Sequence, residues 1–174
     1  MDDVAEFDAF YSATARRLQH QMYAMTGNVA DAQECTQEAF ARAWQRWKTV
    51  RDADNPEAWV RTVAWRIAAS RWRKTKNGLA ALTRHGPPSH TEPPNPDHVT
   101  LVAALKQIPE HQRRAIVLHH LVGMSVDDIA RETNSPAGTV KARLSRGRST
   151  LASILGDLRT GSSDQPEYQR RESL

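Results

Sequence analysis

The stretch between Ser125 and Ser149 constrains the fold more than any other part of this chain. Ser125 is a residue type that caps helices, and Asp128 follows at the reciprocal position of a capping box. Apolar residues then recur at helical spacing until Asn134 interrupts the pattern. These residues are Val126, Ile129 and Ala130. The pattern predicts one short helix followed by a turn.

A second helix is predicted directly after this turn. Ser135 is expected to cap it, with Pro136 at the first helical position, where the missing N–H costs little. One stripe at helical spacing is apolar and consists of Val140, Leu144, Leu151 and Leu155. The residues off the stripe are basic, namely Lys141, Arg143, Arg146 and Arg148, and no acid occurs between Glu132 and Asp157. This pattern indicates a helix-turn-helix whose second helix would enter a DNA major groove.

Charge is distributed unevenly along the chain, although the formal net charge is only +4. Residues 1–60 carry 6 basic and 10 acidic side chains, whereas residues 61–84 carry 7 basic ones and no acid. An acidic block followed by two basic regions favours a protein that contacts nucleic acid at two places and also binds a protein partner.

Composition also bears on where the protein works. No apolar run approaches the roughly 18 residues that a membrane span requires. The N-terminus, MDDVAEFDAF, lacks the basic and apolar pattern of an export signal. Cys35 is the single cysteine, which excludes an internal disulfide and fits a reducing compartment. We therefore expect a cytoplasmic protein.

Helical periodicity recurs along the chain and strand patterns do not. We expect an all-α fold of two small helical domains joined by a flexible linker. The first domain, residues 1–73, is predicted to contain helices over 4–26, 31–47 and 56–73, with a turn over 49–56.

Residues 74–98 contain five prolines and two glycines and are predicted to form the flexible, Pro-rich linker. Residues 99–158 form the second predicted domain, with one helix from Val99 and another from Pro109 to Gly123. The core face of this latter helix is predicted to be Ile116, Val117, Leu118 and Leu121. The polar tail, residues 159–174, is expected to be disordered.

Three segments together resemble the bacterial extracytoplasmic-function sigma factors (group IV, sigma-70 type). They are DAQECTQEAFARAWQRW, NPEAWVRTVAWRIAASRWRK and IPEHQRRAIVLHHLVGMSVDDIARETNSPAGTVKARLSRGRSTL. The likeness extends over roughly residues 5–155, in the order and at the separations of that family. It implies a sigma factor that binds core RNA polymerase and directs promoter-specific transcription initiation. The first domain would be region 2-like and the second region 4-like.

By this resemblance, the helix over 31–47 docks on the coiled coil of the polymerase β′ subunit, and the polymerase β flap is a further contact. The residues at the docking positions are Gln37, Glu38, Phe40, Ala41 and Trp44. An aromatic anchor among polar rim residues suits a small interface, and acidic residues suit a basic partner. The alternative is that Phe40 and Trp44 are core residues.

Residues 50–73 resemble the loop and helix that read the minus-ten element and hold its bases unpaired. The implied DNA-binding residues are Asn55, Arg61, Trp65, Arg66, Trp72 and Arg73. Stacking of a base on an aromatic ring is worth ~1–3 kcal/mol, and arginines neutralise phosphates. Arg66 departs from the family, in which asparagine is common at this position. We expect Trp59 to be a core residue.

The second domain resembles the one that reads the minus-thirty-five element. The implied DNA-binding residues are Thr139, Lys141, Ala142, Arg143, Ser145, Arg146 and Arg148. Lys141 and Arg146 would face the groove, where cationic side chains pair with guanine. Phosphate contacts would orient the helix without selecting a sequence.

The predicted linker is long enough for the two domains to contact both promoter elements at once. Residues 74–98, fully extended at ~3.3–3.6 Å per residue, reach about 80–90 Å. Two elements about one and a half duplex turns apart need roughly 50–55 Å at ~34–36 Å per turn. Many family members are held inactive by an anti-sigma factor, which is a further candidate partner beside core polymerase and promoter DNA. No cofactor and no small-molecule substrate are expected.

An enzyme and a free-standing regulator are the alternatives. The sequence contains no GxSxG, phosphate-binding loop or HExxH motif, and Cys35 has no basic neighbour closer than Arg42, so we expect no catalytic residue. His85, His90 and His98 would be the ligands of an alternative metal site, although we expect none. An autonomous helix-turn-helix regulator would use residues 99–158 but leave residues 29–73 without a purpose.

Overall fold

The computed structural model describes residues 2–77 and 96–161 of the chain. Every regular element within these two ranges is helical. The expected all-α fold is therefore confirmed for the described residues.

Residues 2–77 fold into helices that begin and end at residues with recognisable local roles. The helices are α1 (Asp3–Thr26), α2 (Val29–Gln45), α3 (Trp47–Arg51) and α4 (Pro56–Lys76). Gly27 ends α1 with a φ of 71°, a conformation that costs glycine little. The Asn28 side chain then accepts a hydrogen bond from the Asp31 N–H and caps α2. Because Asn28 is the cap, the predicted start of this helix at Asp31 was wrong by two residues.

The predicted turn over 49–56 was wrong at its beginning, where α3 forms instead. Trp47 and Val50 of this short helix are buried, so tertiary packing stabilises a segment whose local pattern predicts a turn. The Arg51 guanidinium also lies 2.6 Å from Asp3 and 3.3 Å from Glu6 of α1. Pro56 opens α4 as predicted, and this helix extends to Lys76, three residues beyond the predicted end.

Residues 96–161 contain a second set of helices. They are α5 (Pro96–Lys106), α6 (Glu110–Ile116), a π-helical turn (Val117–Leu121), α7 (Val126–Glu132) and α8 (Ala137–Gly161). The end of α4 and the start of α5 both enter the range predicted as linker. The rest of that range, residues 78–95, lies outside the described residues, as do residues 162–174 of the tail.

The helix predicted to start at Pro109 is interrupted by the π-helical turn. Its wider turn rotates the following side chains relative to an α-helical stripe. Val117 and Leu118 are buried as predicted, but Leu121 is 51% exposed, so its assignment to the core was wrong. Gly123 ends the segment with a φ of 82°.

The predicted helix-turn-helix is confirmed as α7 and α8. Ser125 caps α7, because its hydroxyl oxygen accepts a hydrogen bond from the Asp128 N–H at 3.1 Å. The same hydroxyl donates to the Asp128 carboxylate at 2.7 Å. Asn134 turns the chain with a φ of 48°. Since α8 begins at Ala137, Pro136 precedes the helix, and the Ser135 hydroxyl donates to the Thr133 carbonyl.

One hydrophobic cluster extends through both sets of helices. Its buried members come from all eight α-helices and the π-helical turn of the described residues, and they include Leu18, Phe40, Val60, Leu105, Leu118, Ile129 and Leu144. A close approach of α6 and α8 contributes to it, because a Cβ at Gly147 would lie 2.6 Å from Ile116 Cδ1. The two parts of the chain therefore pack against each other in this structure.

Candidate nucleic-acid and polymerase interfaces

All residues predicted to read the minus-thirty-five element lie on α8. Val140 and Leu144 of this helix are buried against the second set of helices, which directs the polar face outward. Lys141, Ser145 and Arg146 are exposed. Arg148 is exposed as well, whereas Thr139, Ala142 and Arg143 are partly buried. The arrangement presents a cationic helix face of the kind that binds a major groove.

Two arginines of this face are held by neighbouring side chains. The Arg143 guanidinium donates to the Ser135 hydroxyl at 3.0 Å. Arg148 Nε donates to His120 Nε2 at 3.1 Å. Burial, followed by the charge of Arg148, lowers the pKa of His120, so the imidazole stays neutral and able to accept this hydrogen bond. Both contacts orient cations at the rim of the face.

Most residues predicted to contact polymerase lie on one exposed side of α2. Gln37 and Ala41 are exposed, and Trp44 is 44% exposed. Glu38 is partly exposed and receives hydrogen bonds from Arg42 at 2.6 Å and Arg71 at 3.1 Å. These residues combine an aromatic side chain with polar and acidic neighbours, as an anchor and rim require.

Phe40 is separated from this exposed side because it is only 3% exposed. Its ring lies 4.9 Å from the Tyr11 ring and 5.8 Å from the Phe10 ring, so it is a core residue of the α1–α2 contact. Tyr11 itself is 42% exposed and adds an aromatic surface of α1 beside α2. No sequence pattern indicates this addition, because it depends on the pairing of two helices.

The residues predicted to read the minus-ten element divide into two groups. Asn55, Arg66 and Arg73 are exposed on or just before α4. Asn55 has a structural role too, since its side-chain oxygen accepts from the Ala58 N–H at 2.9 Å and caps the helix. Arg61, Trp65 and Trp72 instead face the second set of helices.

Arg61 forms a buried ion pair with Glu132 of α7. Arg61 Nε donates to Glu132 Oε1 at 2.9 Å, and a terminal nitrogen donates to Oε2 at 2.8 Å. The two side chains are only 4% and 5% exposed. On its other side, Arg61 lies 3.9 Å from Glu57, which Arg17 of α1 holds through two hydrogen bonds of 2.9 and 2.6 Å. Alternating charges therefore connect α1, α4 and α7.

Two arginines of α6 cover the two tryptophans of α4. The Arg113 guanidinium lies 4.3 Å from the centre of the Trp72 ring, and that of Arg114 lies 5.0 Å from the centre of the Trp65 ring. Burial lowers the pKa of each arginine to about 10. The sequence analysis did not predict that Glu132, Arg113 and Arg114 contact α4, because no local pattern pairs them with residues of that helix.

The described residues offer little support for metal-ion or thiol chemistry. No group of three or more His, Cys, Asp or Glu side chains there could hold a metal ion. Cys35 is fully buried, and burial raises the pKa of its thiol to about 11, which disfavours a reactive thiolate. No helix in these ranges has the length and apolar character needed to cross a membrane.

Comparison with known proteins supports a single family. The family model for Sigma-70 region 2 matches residues 10–78, and that for Sigma-70, region 4 matches residues 98–151. Together these ranges cover more than half of the chain, and they agree with its two sets of helices.

Individual relatives agree over almost the whole length. The RNA polymerase sigma-E factor of Streptomyces coelicolor is 27% identical over 174 residues, which is 98% of each chain. The ECF RNA polymerase sigma factor SigL of Mycobacterium tuberculosis is 29% identical over 82% of this chain and 84% of SigL.

The fold also resembles that of two solved structures. The sigma factor RpoE, in its co-crystal structure with the anti-sigma factor NepR from Bartonella quintana, has a TM-score of 0.72 at 22% identity. This match covers 87% of our chain and 97% of RpoE. CnrH in complex with the cytosolic domain of CnrY has a TM-score of 0.61 at 18% identity, over 87% and 88% of the two chains. The chain therefore belongs to the extracytoplasmic-function sigma factors of the sigma-70 type, which bind core RNA polymerase and promoter DNA and direct promoter-specific transcription initiation.

Proposed function

We propose a specific division of this task among the helices. The exposed side of α2, with Gln37, Glu38, Ala41 and Trp44, docks on core polymerase. The N-terminus and basic face of α4 bind the minus-ten element, and α8 reads the minus-thirty-five element. The observation that carries the proposal is the exposed cationic face of α8 opposite its buried Val140 and Leu144.

The cations of α8 have complementary roles in this proposal. Lys141 and Arg146 are exposed and available for base edges, where a good bidentate contact discriminates by about 1–3 kcal/mol. Arg143 and Arg148 are oriented by Ser135 and His120 and bind phosphates. Such contacts set the position of α8 on the duplex before its sequence is read.

The proposal also covers regulation and location. The sigma factor RpoE, which has the same fold, was co-crystallised with the anti-sigma factor NepR, and CnrH was solved in complex with the cytosolic domain of CnrY. We infer that an anti-sigma factor binds this chain too, and that the chain works in the cytoplasm as a non-catalytic initiation factor.

Run-off transcription on genomic promoter fragments, with core polymerase from the same organism, tests the proposal. Adding the protein should produce discrete new transcripts. The double substitution Lys141→Glu and Arg146→Glu should reduce these transcripts at least tenfold, because two negative side chains would then face the negatively charged DNA. Binding of the double variant to core polymerase should persist in gel filtration.

The matched control is Ala152→Glu with Ser153→Glu, two exposed positions farther along the same helix, which should retain transcription. Nanomolar binding of a palindromic operator by the protein alone, without any new transcript, would contradict the proposal in favour of a free-standing regulator.

A further inference from the structure

Two histidines of the π-helical turn lie beside the cationic face of α8. His119 and His120 belong to this turn, which the Val122 N–H closes by donating to the Val117 carbonyl at 3.1 Å. A π-helical turn contains one residue more than an α-helical turn, so it changes the direction of the side chains that follow. The groups that the two histidines face therefore depend on this turn and on the helices packed around it.

Close packing of α6 and α8 brings His120 to Arg148. A Cβ at Gly147 would lie 2.6 Å from Ile116 Cδ1, so the absence of a side chain at Gly147 lets the two helices approach closely. Ile116 and His120 are four residues apart, and Arg148 directly follows Gly147. Arg148 Nε donates to His120 Nε2 at 3.1 Å between the two elements. Both side chains are exposed beside the proposed DNA-binding face.

The hydrogen bond from Arg148 fixes the charge state of the His120 imidazole. A guanidinium nitrogen only donates, so His120 Nε2 is unprotonated and the ring is neutral. Partial burial and the charges of Arg148 and His119 lower the pKa of His120, which agrees with this state. His119 is held separately, because its Nδ1 donates to the Met124 carbonyl at 2.8 Å. Its ring meets that of His120 edge to face.

The other elements near the π-helical turn direct their charged groups toward its end. Arg17 of α1 and Asp128 and Arg131 of α7 line a groove with Leu121 and Val122, the residues that follow His120. On the side of α8, the sequence contains no acid from position 137 to position 156. A DNA phosphate is therefore the anion that we expect to approach His120 and Arg148 together.

We propose that His120 and Arg148 form a phosphate clamp at the edge of the α8 face, in which His120 takes up a proton from solvent when duplex DNA binds. This inference rests on the proposed function of α8. Without DNA, the neutral imidazole accepts the hydrogen bond of Arg148. Once protonated, Nε2 becomes a second N–H donor beside Arg148 Nε, and two charged donors at this separation suit one oxyanion.

The direction of the pH dependence follows from these two states. Without DNA, partial burial and Arg148 keep the pKa of His120 below its ordinary value of about 6.5. With DNA, the negative phosphate favours the charged imidazole and raises its pKa. Binding therefore takes up a proton, and the affinity for duplex DNA increases as the pH falls through the pKa of the complex. If His120 served only as an acceptor for Arg148, acid would weaken binding instead.

Fluorescence anisotropy of the full chain with a random-sequence duplex tests the clamp, because phosphate contacts do not depend on sequence. The duplex carries a dye that is insensitive to pH, and the ionic strength is held constant. Wild-type protein should bind about fivefold more tightly at pH 6 than at pH 8. His120→Gln retains an acceptor for Arg148 but does not titrate, so it should lose this gain. His120→Lys carries a permanent charge and should bind with the same affinity at both pH values.

His111→Gln is the matched control, since it removes another exposed imidazole from the same set of helices. This variant should keep the wild-type ratio of affinities. Salt dependence provides a readout that a merely structural role of His120 would not move. The slope of log affinity against log salt should steepen by up to about 0.9 for wild type in acid, as expected for one more phosphate contact, and should stay constant for His120→Gln.

An affinity that does not depend on pH, or a gain in acid that persists in His120→Gln, would overturn the clamp. Weaker binding of wild type in acid would overturn it as well and leave His120 as an acceptor alone. If the variants fail to fold, an NMR titration of wild-type His120 decides, since a pKa that does not rise when duplex is added contradicts the clamp. Failure of the proposed function of α8 is a separate result, in which Lys141→Glu with Arg146→Glu binds duplex as wild type does.

Discussion

Cys35 lies in the interior of the α1–α2–α4 packing, where its side chain is completely buried. Burial raises the pKa of the thiol to about 11, and the charge of Arg71 opposes part of this rise. An unfolded thiol has a pKa of about 8.5, so the native state holds this proton more tightly. The contribution to stability is complete below about pH 8.5 and is lost as the pH rises toward 11.

This difference predicts that Cys35→Ala makes the protein less sensitive to alkaline pH. Between pH 7.5 and pH 10, wild-type protein should lose about 2 kcal/mol more of its unfolding free energy than the variant does, at about 1.4 kcal/mol per pH unit above the unfolded pKa. Urea unfolding at both pH values measures the effect. Cys35→Ala also changes the unfolding free energy by an amount that does not depend on pH, and this amount cancels when the two pH values are compared. If wild type and variant showed the same pH dependence, the buried thiol would not titrate in this way.

At the scale of residues, the sequence indicated which side chains suit a task but not which residues they pair with. The tryptophans and arginines of α4 were predicted as a set suited to nucleic acid, which stays a prediction, and Trp59 is packed against the core as expected. Glu132 was not recognised as the partner of Arg61, because 71 positions separate the two residues and helical periodicity relates only near neighbours. Phe40 and Trp44 show the same limit, since only the path of α1 decides that the first is buried and the second exposed.

At the scale of elements, Asn55 has two roles at the start of α4: it caps the helix, and it is proposed to contact DNA. Its side-chain oxygen caps the helix, and its amide group is free to donate toward DNA. Asn55→Asp should therefore preserve the unfolding free energy, since aspartate caps as well as asparagine does. Asn55→Ala should lower it by about 1 kcal/mol. Thermal and urea unfolding measure these effects.

Transcription separates the two roles of Asn55. With Asn55→Asp, new transcripts should decrease although stability is retained, because a carboxylate repels phosphate and cannot donate a hydrogen bond. Full transcription by the aspartate variant would restrict Asn55 to its capping role. Asp54 provides a matched control position next to it, where Asp54→Ala leaves the cap in place.

Helix ends that local chemistry determines were predictable, whereas ends that packing determines were not. Pro56 and Ser125 mark the starts of α4 and α7 as the sequence indicated. The short helix α3 was missed because it is stabilised by the burial of Trp47 and by the ion pairs of Arg51 with α1. The π-helical turn after Ile116 was missed for a similar reason, since its residues have an ordinary helical pattern.

At the scale of the whole molecule, the packing of the two sets of helices against each other and the reading of two promoter elements make opposite demands. In this structure, α6 contacts α4 directly. Two promoter elements about one and a half turns apart require roughly 50–55 Å between the two halves. Residues 78–95 alone, at ~3.3–3.6 Å each when extended, reach about 60–65 Å. The chain is therefore long enough to part its halves without unfolding α4 or α5.

We accordingly expect the two halves to separate when core polymerase binds. Fluorescent dyes on Ala13→Cys and Ser153→Cys, both exposed positions, report the distance between α1 and α8. The buried, protonated Cys35 should remain unlabelled under native conditions. Energy transfer should be high for the protein alone and should fall on addition of core polymerase, since the face of α4 must become free to bind the minus-ten element.

Glu132→Lys replaces the buried partner of Arg61 by a like charge and so disrupts the contact between α4 and α7. With the same dyes, this variant provides the reference for separated halves, because its energy transfer should be low before polymerase is added. The doubly labelled wild type must still support run-off transcription, so that the measurement concerns an active protein. Unchanged energy transfer in an active, polymerase-bound sample would mean that promoter bases reach α4 with the halves still together. In that case Arg113 and Arg114 would contribute to the DNA site instead of covering it.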